Sequence, residues 1–239
     1  MDIYVSQRAS TDAPWGTPQN LGPNINSPYR EFYPSLSPDG HTLYFSSTRP
    51  GGFGAQDIYA SRRHNKRDDF AWKPAVNLGS TINTAAGESF PFLFEDDETG
   101  TLTLYFSSGR PGGMGGTDIY ASTLQPDETF GTPVPVAELN SPSNDIAPTI
   151  RRDGLEMFLA SNRPGTFGDM DLWVSTRPST ADPWSTLANL GPFVNSAAPE
   201  NAPALSFHGT ELYFTSDKLG GPAPQDLWVT TRAKLKAQD

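Results

Sequence analysis

The stretch Leu43-Tyr44-Phe45-Ser46-Ser47-Thr48-Arg49-Pro50-Gly51-Gly52, followed by Asp57-Ile58-Tyr59-Ala60-Ser61, decides the fold because both of its parts recur along the chain. Copies of the second part begin at Asp2, Asp118, Asp171 and Asp226, and successive copies lie 55, 61, 53 and 55 residues apart. A period of this length indicates that one supersecondary unit is repeated several times.

Two more signatures complete the unit. Tyr33-Pro34-Ser35-Leu36-Ser37 precedes the first part, and Trp72 to Gly79 follows the second. Alternating aromatic and β-branched residues predict a β-strand for each signature, and we label these strands a, b, c and d in chain order. The turn Ser37-Pro38-Asp39-Gly40 between a and b is typical of a tight hairpin. Four short antiparallel strands, repeated in this way, predict an all-β fold: a β-propeller with four-stranded blades.

We expect a single propeller domain over residues 1–239. The sequence repeats cover residues 32–88, 89–145, 146–200 and 201–232, with an N-terminal partial repeat over residues 2–31. Two arrangements fit the strand count. In the first, the N-terminal d strand closes the last of four blades and residues 2–8 are left over. In the second, the N-terminal c–d pair begins a fifth, incomplete blade, which an upstream segment or a partner chain would complete.

The composition excludes several classes of protein. Of 239 residues, 36% are hydrophobic and 11% are aromatic, which is enough for a folded core. A net charge of −10 argues against nucleic acid as a partner, because phosphate contacts need clustered lysine and arginine. The absence of cysteine excludes disulfides and thiol catalysis. No apolar run reaches the ~18 residues of a membrane span, and no signal peptide is visible after Met1.

The order Ser-Pro-Asp-Gly, Leu-Tyr-Phe-Ser-Ser, Arg-Pro-Gly-Gly and Asp-Ile-Tyr resembles the WD-like β-propeller repeat of bacterial TolB-type proteins, over residues 2–232. The resemblance implies an envelope protein, periplasmic or secreted, that acts in binding or scaffolding, and it favours five blades over four. It fixes no reaction. The later repeats depart from the pattern, with Arg151-Arg152-Asp153-Gly154 and Phe207-His208-Gly209 in place of the first turn.

A basic residue and an aspartate recur eight residues apart in each repeat. These pairs are Arg49 with Asp57, Arg110 with Asp118, Arg163 with Asp171, and Lys218 with Asp226. The glycine-rich segment between them allows the chain to fold back, so that the two side chains form a charge-assisted hydrogen bond. Because the pair recurs in every repeat, we interpret it as a structural device that fixes the b–c hairpin.

A second recurring set is acidic and precedes strand a. It consists of Glu31, Glu88, Asp145 and Glu200, at steps of 57, 57 and 55 residues. If strand a is the innermost strand, these carboxylates surround one mouth of the central channel. Converging carboxylates need a cation or hydrogen-bond donors, and oxygen ligands suit Ca²⁺ or Mg²⁺. The alternative is that each carboxylate caps a turn or binds a backbone N–H group.

Three functions fit these features. We favour a non-catalytic binding propeller that recognises a protein or glycan ligand, with Ca²⁺ at the channel mouth, because no catalytic motif is visible. The second candidate is a glycan-active hydrolase in which Glu31, Glu88, Asp145 and Glu200 supply the acid and the base or nucleophile. Strong symmetry among these four would weaken that hypothesis, since catalysis needs groups with distinct roles. The third candidate is a structural repeat module that forms oligomers through its incomplete blade.

Overall fold

A computed structural model describes residues 1–218 and 225–233. All regular structure in these residues is β-strand, and the strands form five antiparallel sheets. The prediction of an all-β fold is therefore confirmed. Within the same residues, no helix has the length and apolar character that a membrane crossing requires.

Four of the sheets are blades, numbered I to IV, and the fifth is a two-stranded N-terminal sheet that we call the half-blade. The half-blade contains β1 (Tyr4–Val5) and β2 (Gln19–Asn20). Blade I contains β3 (Glu31–Leu36), β4 (Thr42–Ser47), β5 (Asp57–Arg62) and β6 (Val76–Asn77). Blade II contains β7 (Glu88–Glu95), β8 (Leu102–Ser108), β9 (Asp118–Thr123) and β10 (Val134–Pro135). Blade III contains β11 (Asp145–Ile150), β12 (Glu156–Ser161), β13 (Asp171–Thr176) and β14 (Ala188–Asn189). Blade IV contains β15 (Glu200–Leu205), β16 (Glu211–Ser216) and β17 (Asp226–Thr231).

The blades are arranged as a propeller. In each blade the strands pair in chain order, from a at one edge towards d at the other. The a strands pack against one another from blade to blade, β3 against β7, β7 against β11, and β11 against β15. Strand a is therefore the innermost strand, and the carboxylate that begins it lies at the channel end of each blade.

The outer d strands are shorter than the sequence predicts. In blade I only Val76–Asn77 pairs with β5, and Trp72 forms an isolated bridge with Arg63. Pro74 lies between these two contacts and has no N–H group to give to a sheet, so it interrupts the predicted strand. Each complete blade is thus three full strands with a short outer cover.

The half-blade settles how the N-terminal repeat is used. Tyr4 pairs with Asn20 and Val5 pairs with Gln19. Among the described residues neither of these strands joins the last blade, which has three strands. The arrangement in which the N-terminal d strand closes that blade is therefore wrong. The described residues form four blades, and the preference for five blades is not confirmed, because the fifth unit is only half a blade.

The hydrophobic core lies between neighbouring blades. Ile58 of blade I packs in one cluster with Phe106 and Tyr120 of blade II. A second cluster joins Phe94 of blade II to Met157 of blade III. Burial of these faces holds the blades side by side, since a two-sided sheet gains stability only when each face is covered.

Replacing Phe106 with alanine is expected to destabilise the protein by about 3–5 kcal/mol, because its fully buried ring would leave a cavity between blades I and II. Urea unfolding, followed by tryptophan fluorescence, measures the change. Phe193→Ala is the matched control, since that ring is 99% exposed and its loss should change stability by less than about 0.5 kcal/mol. Equal effects of the two substitutions would contradict this packing.

Candidate functional site

Each inner strand begins with a buried carboxylate that the preceding loop holds. Glu31 is closed to solvent and accepts hydrogen bonds from the N–H of Ser27 (3.0 Å), from the hydroxyls of Ser27 (2.6 Å) and Ser47 (2.9 Å), and from Arg49 (3.2 Å). The equivalent group in blade II consists of Thr84, Glu88, Ser108 and Arg110. We call this arrangement the carboxylate joint. It supplies donors to a charge that burial would otherwise penalise.

The arginine of the joint also ties two blades together. Nη2 of Arg110 donates to the carbonyl oxygen of Ile82, in the loop that leaves blade I, and to Glu88. Its guanidinium carbon lies 5.0 Å from the ring centres of both Phe106 and Tyr120. Burial lowers the pKa of Arg110, and the Glu88 carboxylate opposes that shift. The joint therefore places compensating charges at the border between blades.

These contacts correct the predicted arginine–aspartate pairs. The arginines form their ion pairs with the inner-strand carboxylates, Arg49 with Glu31, Arg110 with Glu88, and Arg163 with Asp145. Asp118 and Asp171 accept from backbone N–H groups of their own loops. Residues 219–224, which separate the fourth predicted pair, Lys218 and Asp226, lie outside the described residues.

Blade I shows why the aspartate is not available to the arginine. Asp57 accepts from the N–H groups of Phe53 (2.7 Å) and Gly54 (3.1 Å) and from the side chain of Asn77 (3.0 Å). The loop approaches so closely that a Cβ on Gly52 would lie 1.6 Å from Oδ2 of Asp57. The glycine-rich loop thus wraps the aspartate, and Arg49 turns towards the inner strand.

The four inner-strand carboxylates have unlike surroundings. Asp145 is one methylene shorter than the glutamates, and it is bound by Ser141 and Arg163. Glu200 accepts from Ser196 and Ser216 and has no arginine partner among the described residues. Blades III and IV therefore break the symmetry that blades I and II keep.

Lys218 occupies the place of the arginine in blade IV. Its Nζ lies 4.9 Å from the ring centre of Phe214 and 4.1 Å from that of Trp228. A lysine ammonium is a compact charge that cannot reproduce the planar fork of a guanidinium. Blade IV thus keeps the contact of a cation with two aromatic rings. Among the described residues it has no guanidinium bound to the inner-strand carboxylate.

The wall of the channel is also asymmetric. The third residue of each inner strand precedes a proline and has a positive φ. These residues are Tyr33 (φ 55°), Phe90 (51°), Ala147 (58°) and Ala202 (50°). This conformation costs about 1–3 kcal/mol for a residue other than glycine, and it accompanies a β-bulge in every a–b pair. Blades I and II place aromatic rings at this position, whereas blades III and IV place alanine there.

The rings of Phe32, Tyr33 and Phe90 form what we call the aromatic wall. Tyr33 and Phe90 are stacked with their centres 3.5 Å apart, and Phe32 meets Tyr33 edge-on at 4.9 Å. The guanidinium of Arg30 lies 5.5 Å from the ring centre of Phe32. Burial raises the pKa of Tyr33, and the charge of Arg30 opposes the rise. The Tyr33 phenol therefore stays protonated at neutral pH and is a hydrogen-bond donor.

The geometry offers no ready metal site. Across residues 1–218 and 225–233, no group of three or more histidine, aspartate or glutamate side chains could hold a metal ion. Glu31, Glu88, Asp145 and Glu200 are each engaged with donors of the loop that precedes their strand. Calcium at the channel mouth stays a prediction from the sequence.

One recurring residue, an asparagine that binds strand c, was not predicted from the sequence. Asn83, in the loop after β6, accepts from the N–H of Ile58 (2.8 Å) and donates to the carbonyl of the same residue (2.9 Å). The equivalent pairs are Asn26 with Ile3, Asn140 with Ile119, and Asn195 with Leu172. The sequence does contain a signal for this asparagine. An Ile-Asn-Ser or Ile-Asn-Thr triplet follows a Leu-Gly pair in two repeats, at residues 25–27 and 82–84.

Comparison with known proteins gives likeness of structure only. No protein-family model and no curated protein match the sequence. A GH43_12 protein from a capybara gut metagenome matches with a TM-score of 0.65 and 13% identity, over 98% of this chain and 49% of that one. An exo-1,5-α-L-arabinanase from a bovine ruminal metagenomic library has a TM-score of 0.61 and 15% identity, over 95% and 87%. A putative TolB from Agrobacterium tumefaciens has a TM-score of 0.55 and 16% identity, over 95% and 68%. At these identities the likeness establishes the propeller fold alone.

The comparison corrects the functional prediction. The TolB-type structure stands beside several glycoside hydrolase propellers, among them an arabinofuranosidase from Lactobacillus brevis and an arabinanase from Cellvibrio cellulosa. The preference for a non-catalytic binding propeller, which rested on the resemblance to TolB-type repeats, the acidic charge and the lack of a catalytic motif, is therefore overturned. These neighbours agree better with the second candidate function, a glycan-active hydrolase, which stays a proposal.

Replacing Arg110 with glutamine is expected to destabilise the protein by about 3–5 kcal/mol, because Glu88 would keep a buried charge without its ion-pair partner. Urea unfolding at neutral pH measures the loss. The matched control is Arg62→Gln, which removes an exposed ion pair to Glu128 (3.3 Å) and should cost at most about 1 kcal/mol. A similarly small loss for Arg110→Gln would show that the joint does not hold the blades.

Proposed function

We propose that this protein is a glycan-active hydrolase whose substrate binds in the channel and whose catalytic pair is Asp145 and Glu200. The observation that carries the proposal is that two departures from the repeat coincide. Blades III and IV have the unlike carboxylates, and they are also the blades in which alanine replaces the aromatic ring of the inner strand.

The aromatic wall suits a sugar. Pyranose and furanose rings present C–H groups that pack on aromatic faces, and ligand pockets combine such surfaces with a few polar groups. Tyr33 lies two residues after Glu31 in β3, about 7 Å along the strand. A sugar ring against Tyr33 would therefore lie about 7 Å along the strand from the level of the carboxylates. Ala147 and Ala202 lack the aromatic rings that blades I and II carry at the same position, two residues after Asp145 and Glu200.

The two carboxylates suit different roles. Hydrolysis of a glycoside needs one carboxylic acid to protonate the leaving oxygen and one carboxylate to act as base or nucleophile. Asp145 forms an ion pair with Arg163, so Asp145 is assigned as base or nucleophile. Glu200 has hydroxyl and N–H donors without an arginine among the described residues, so it is assigned as the acid.

Catalysis in this site requires two loops to open. Ser141 covers Asp145 through its N–H (2.6 Å) and hydroxyl (2.8 Å), and Ser196 covers Glu200 through the same groups (2.8 and 2.6 Å). Both carboxylates are fully buried in this arrangement. Substrate would have to replace these serine contacts, as loop movements do in many enzymes that exclude water from their sites.

Arabinose-containing polysaccharides are the first substrates to test. Several structures of similar fold are arabinanases or arabinofuranosidases, and one of them is an arabinanase complexed with arabinohexaose. We therefore propose α-linked arabinan, or arabinose side chains on another polysaccharide, as the substrate class.

Asp145→Asn and Glu200→Gln are each expected to lower kcat on arabinan or on 4-nitrophenyl α-L-arabinofuranoside by about 10²–10⁴-fold, because each removes a proton-transfer or nucleophilic group. Release of reducing sugar or of nitrophenol measures the rate. The matched control is Glu98→Gln, an exposed side chain in the β7–β8 turn, which should leave kcat unchanged. Absence of activity on a panel of glycans, or full activity of both amide variants, would refute the proposal.

Two predictions from the sequence are kept as proposals. The first is Ca²⁺ at the channel mouth, for which Ca²⁺ should raise the melting temperature of the protein and EDTA should reverse the rise. No shift at millimolar Ca²⁺ would end that idea. The second is a periplasmic or secreted location, which fractionation of the native host tests.

A further inference from the structure

The repeat order leaves one contiguous gap in the ring. Blade IV ends with strand c, β17, and the half-blade begins with strand c, β1. Among the described residues, the strands lacking are therefore d of blade IV and a and b of the half-blade. In the order of the repeat these form one uninterrupted d–a–b segment. The inner strands β3 and β15, on either side of the gap, do not pack together as the other neighbouring inner strands do.

One wall of the gap is the exposed face of blade IV. Leu227 in β17 is 72% exposed, whereas its equivalents Ile58 and Leu172 are fully buried against the next blade. Val229, on the same face, is 51% exposed. The repeat therefore builds an apolar face for a neighbouring blade, and in blade IV no described residue covers it.

The other wall is the open edge of β1. The N–H of Ile3 is bound by Asn26 and its carbonyl oxygen by the N–H of Leu21, so both groups face away from the gap. Because the backbone groups of successive strand residues point to opposite sides, those of Tyr4 face the gap. The Tyr4 side chain is 55% exposed, whereas its equivalent Tyr59 is 5% exposed.

A groove of about 300 Å³ runs along this edge. Its lining includes Ile3 and Val5 of the half-blade and Leu43 and Trp72 of blade I. In a complete blade this apolar space is filled by the a–b hairpin, as Tyr44 of β4 packs beside Ile58 and against Leu104 of the next blade. The groove thus has the position and the apolar character that a hairpin of the repeat requires.

A recurring arginine shows where the turn of the absent hairpin would lie. Arg63 and Arg177 stack on a tryptophan of the outer strand, and Nε of each donates to a glycine carbonyl in the a–b turn of its own blade, Gly40 (3.0 Å) and Gly154 (2.7 Å). In the half-blade Arg8 stacks on Trp15 in the same way, at 4.3 Å. Its described hydrogen bond is from Nη1 to Thr11, so its Nε remains available for such a carbonyl.

We propose that this gap is a docking site for a polypeptide segment with the repeat's own d–a–b pattern, bound by strand addition. Strand b of that segment pairs with β1 in the register of β4 with β5, which sets a Ser-Ser pair opposite Asp2 and Ile3. The glycine of its a–b turn accepts from Arg8. Its d strand covers the outer edge of β17. One segment then completes both unfinished sheets.

A synthetic peptide with the sequence of residues 15–49 tests the proposal, because it carries strands d, a and b and the turn Ser37 to Gly40. Added to the full chain, it is expected to bind with 1:1 stoichiometry. At 100-fold excess over its Kd it should raise the melting temperature by about 5–10 °C. A peptide of the same composition in scrambled order is the ligand control.

Two substitutions of one residue locate the peptide. Tyr4→Pro removes the N–H that faces the gap and should weaken binding at least 100-fold, whereas Tyr4→Ala keeps that N–H and should weaken it less than 10-fold. Circular dichroism and the melting temperature of each variant without peptide show that the chain still folds. Failure of the native peptide to bind at 100 μM, or equal binding to the two variants, would overturn the proposal. A stable dimer of the chain that the peptide does not dissociate would assign the gap to a second copy instead.

Discussion

A carboxylate removed from water must be given donors by the protein, and this requirement shapes every blade border of the molecule. Glu31 receives two serine hydroxyls, a backbone N–H and an arginine. Ser27 belongs to the loop from the preceding sheet, and Arg49 belongs to the b–c loop. Hydrogen bonds to one buried carboxylate therefore fix both loops. The same arginine binds the carbonyl of Ile25 and lies over Phe45 and Tyr59. The apolar core and the buried charge therefore stabilise the same arrangement.

Repetition and departure from repetition carry different information in this chain. What recurs from blade to blade, such as the asparagine that clamps strand c in the half-blade and in blades I, II and III, builds the propeller. What changes between blades is free to serve another role. The shorter Asp145, the lysine at position 218 and the alanines at 147 and 202 all occur in blades III and IV. These differences between the inner-strand carboxylates, together with the aromatic wall, are the features on which the proposed glycoside hydrolysis rests.

Much of the fold could be predicted from the sequence, because a repeated signature reports strand order and boundaries several times over. Strands b and c lie where the signatures place them, at Thr42–Ser47 and Asp57–Arg62 in blade I, and Gly40 takes the positive φ that the turn requires. The predicted length of the d strands was wrong. The alternation of apolar residues does not take into account that Pro74 lacks an N–H group. The sequence did not decide between the two arrangements of the N-terminal repeat, because strand counting alone does not show which strand edges pair.

The candidate site was only partly predictable. The carboxylates were identified from their spacing, but Asp57 and Glu31 are equally regular partners for Arg49 in sequence. The choice depends on how tightly the loop around Gly52 closes on the aspartate, which spacing does not reveal. The aromatic wall was missed because Tyr33 and Phe90 belong to the strand-a signature, and their stacking across blades follows from the bulge before each proline.

The most direct test of the central claim is a crystal structure of the full chain soaked with an arabino-oligosaccharide. The account predicts a sugar ring against Tyr33 and Phe90, with a glycosidic oxygen within hydrogen-bond distance of Glu200 and with Ser141 and Ser196 displaced from the carboxylates. Sugar bound on the outer faces of the blades, with all four carboxylate joints closed and the channel free of ligand, would contradict it.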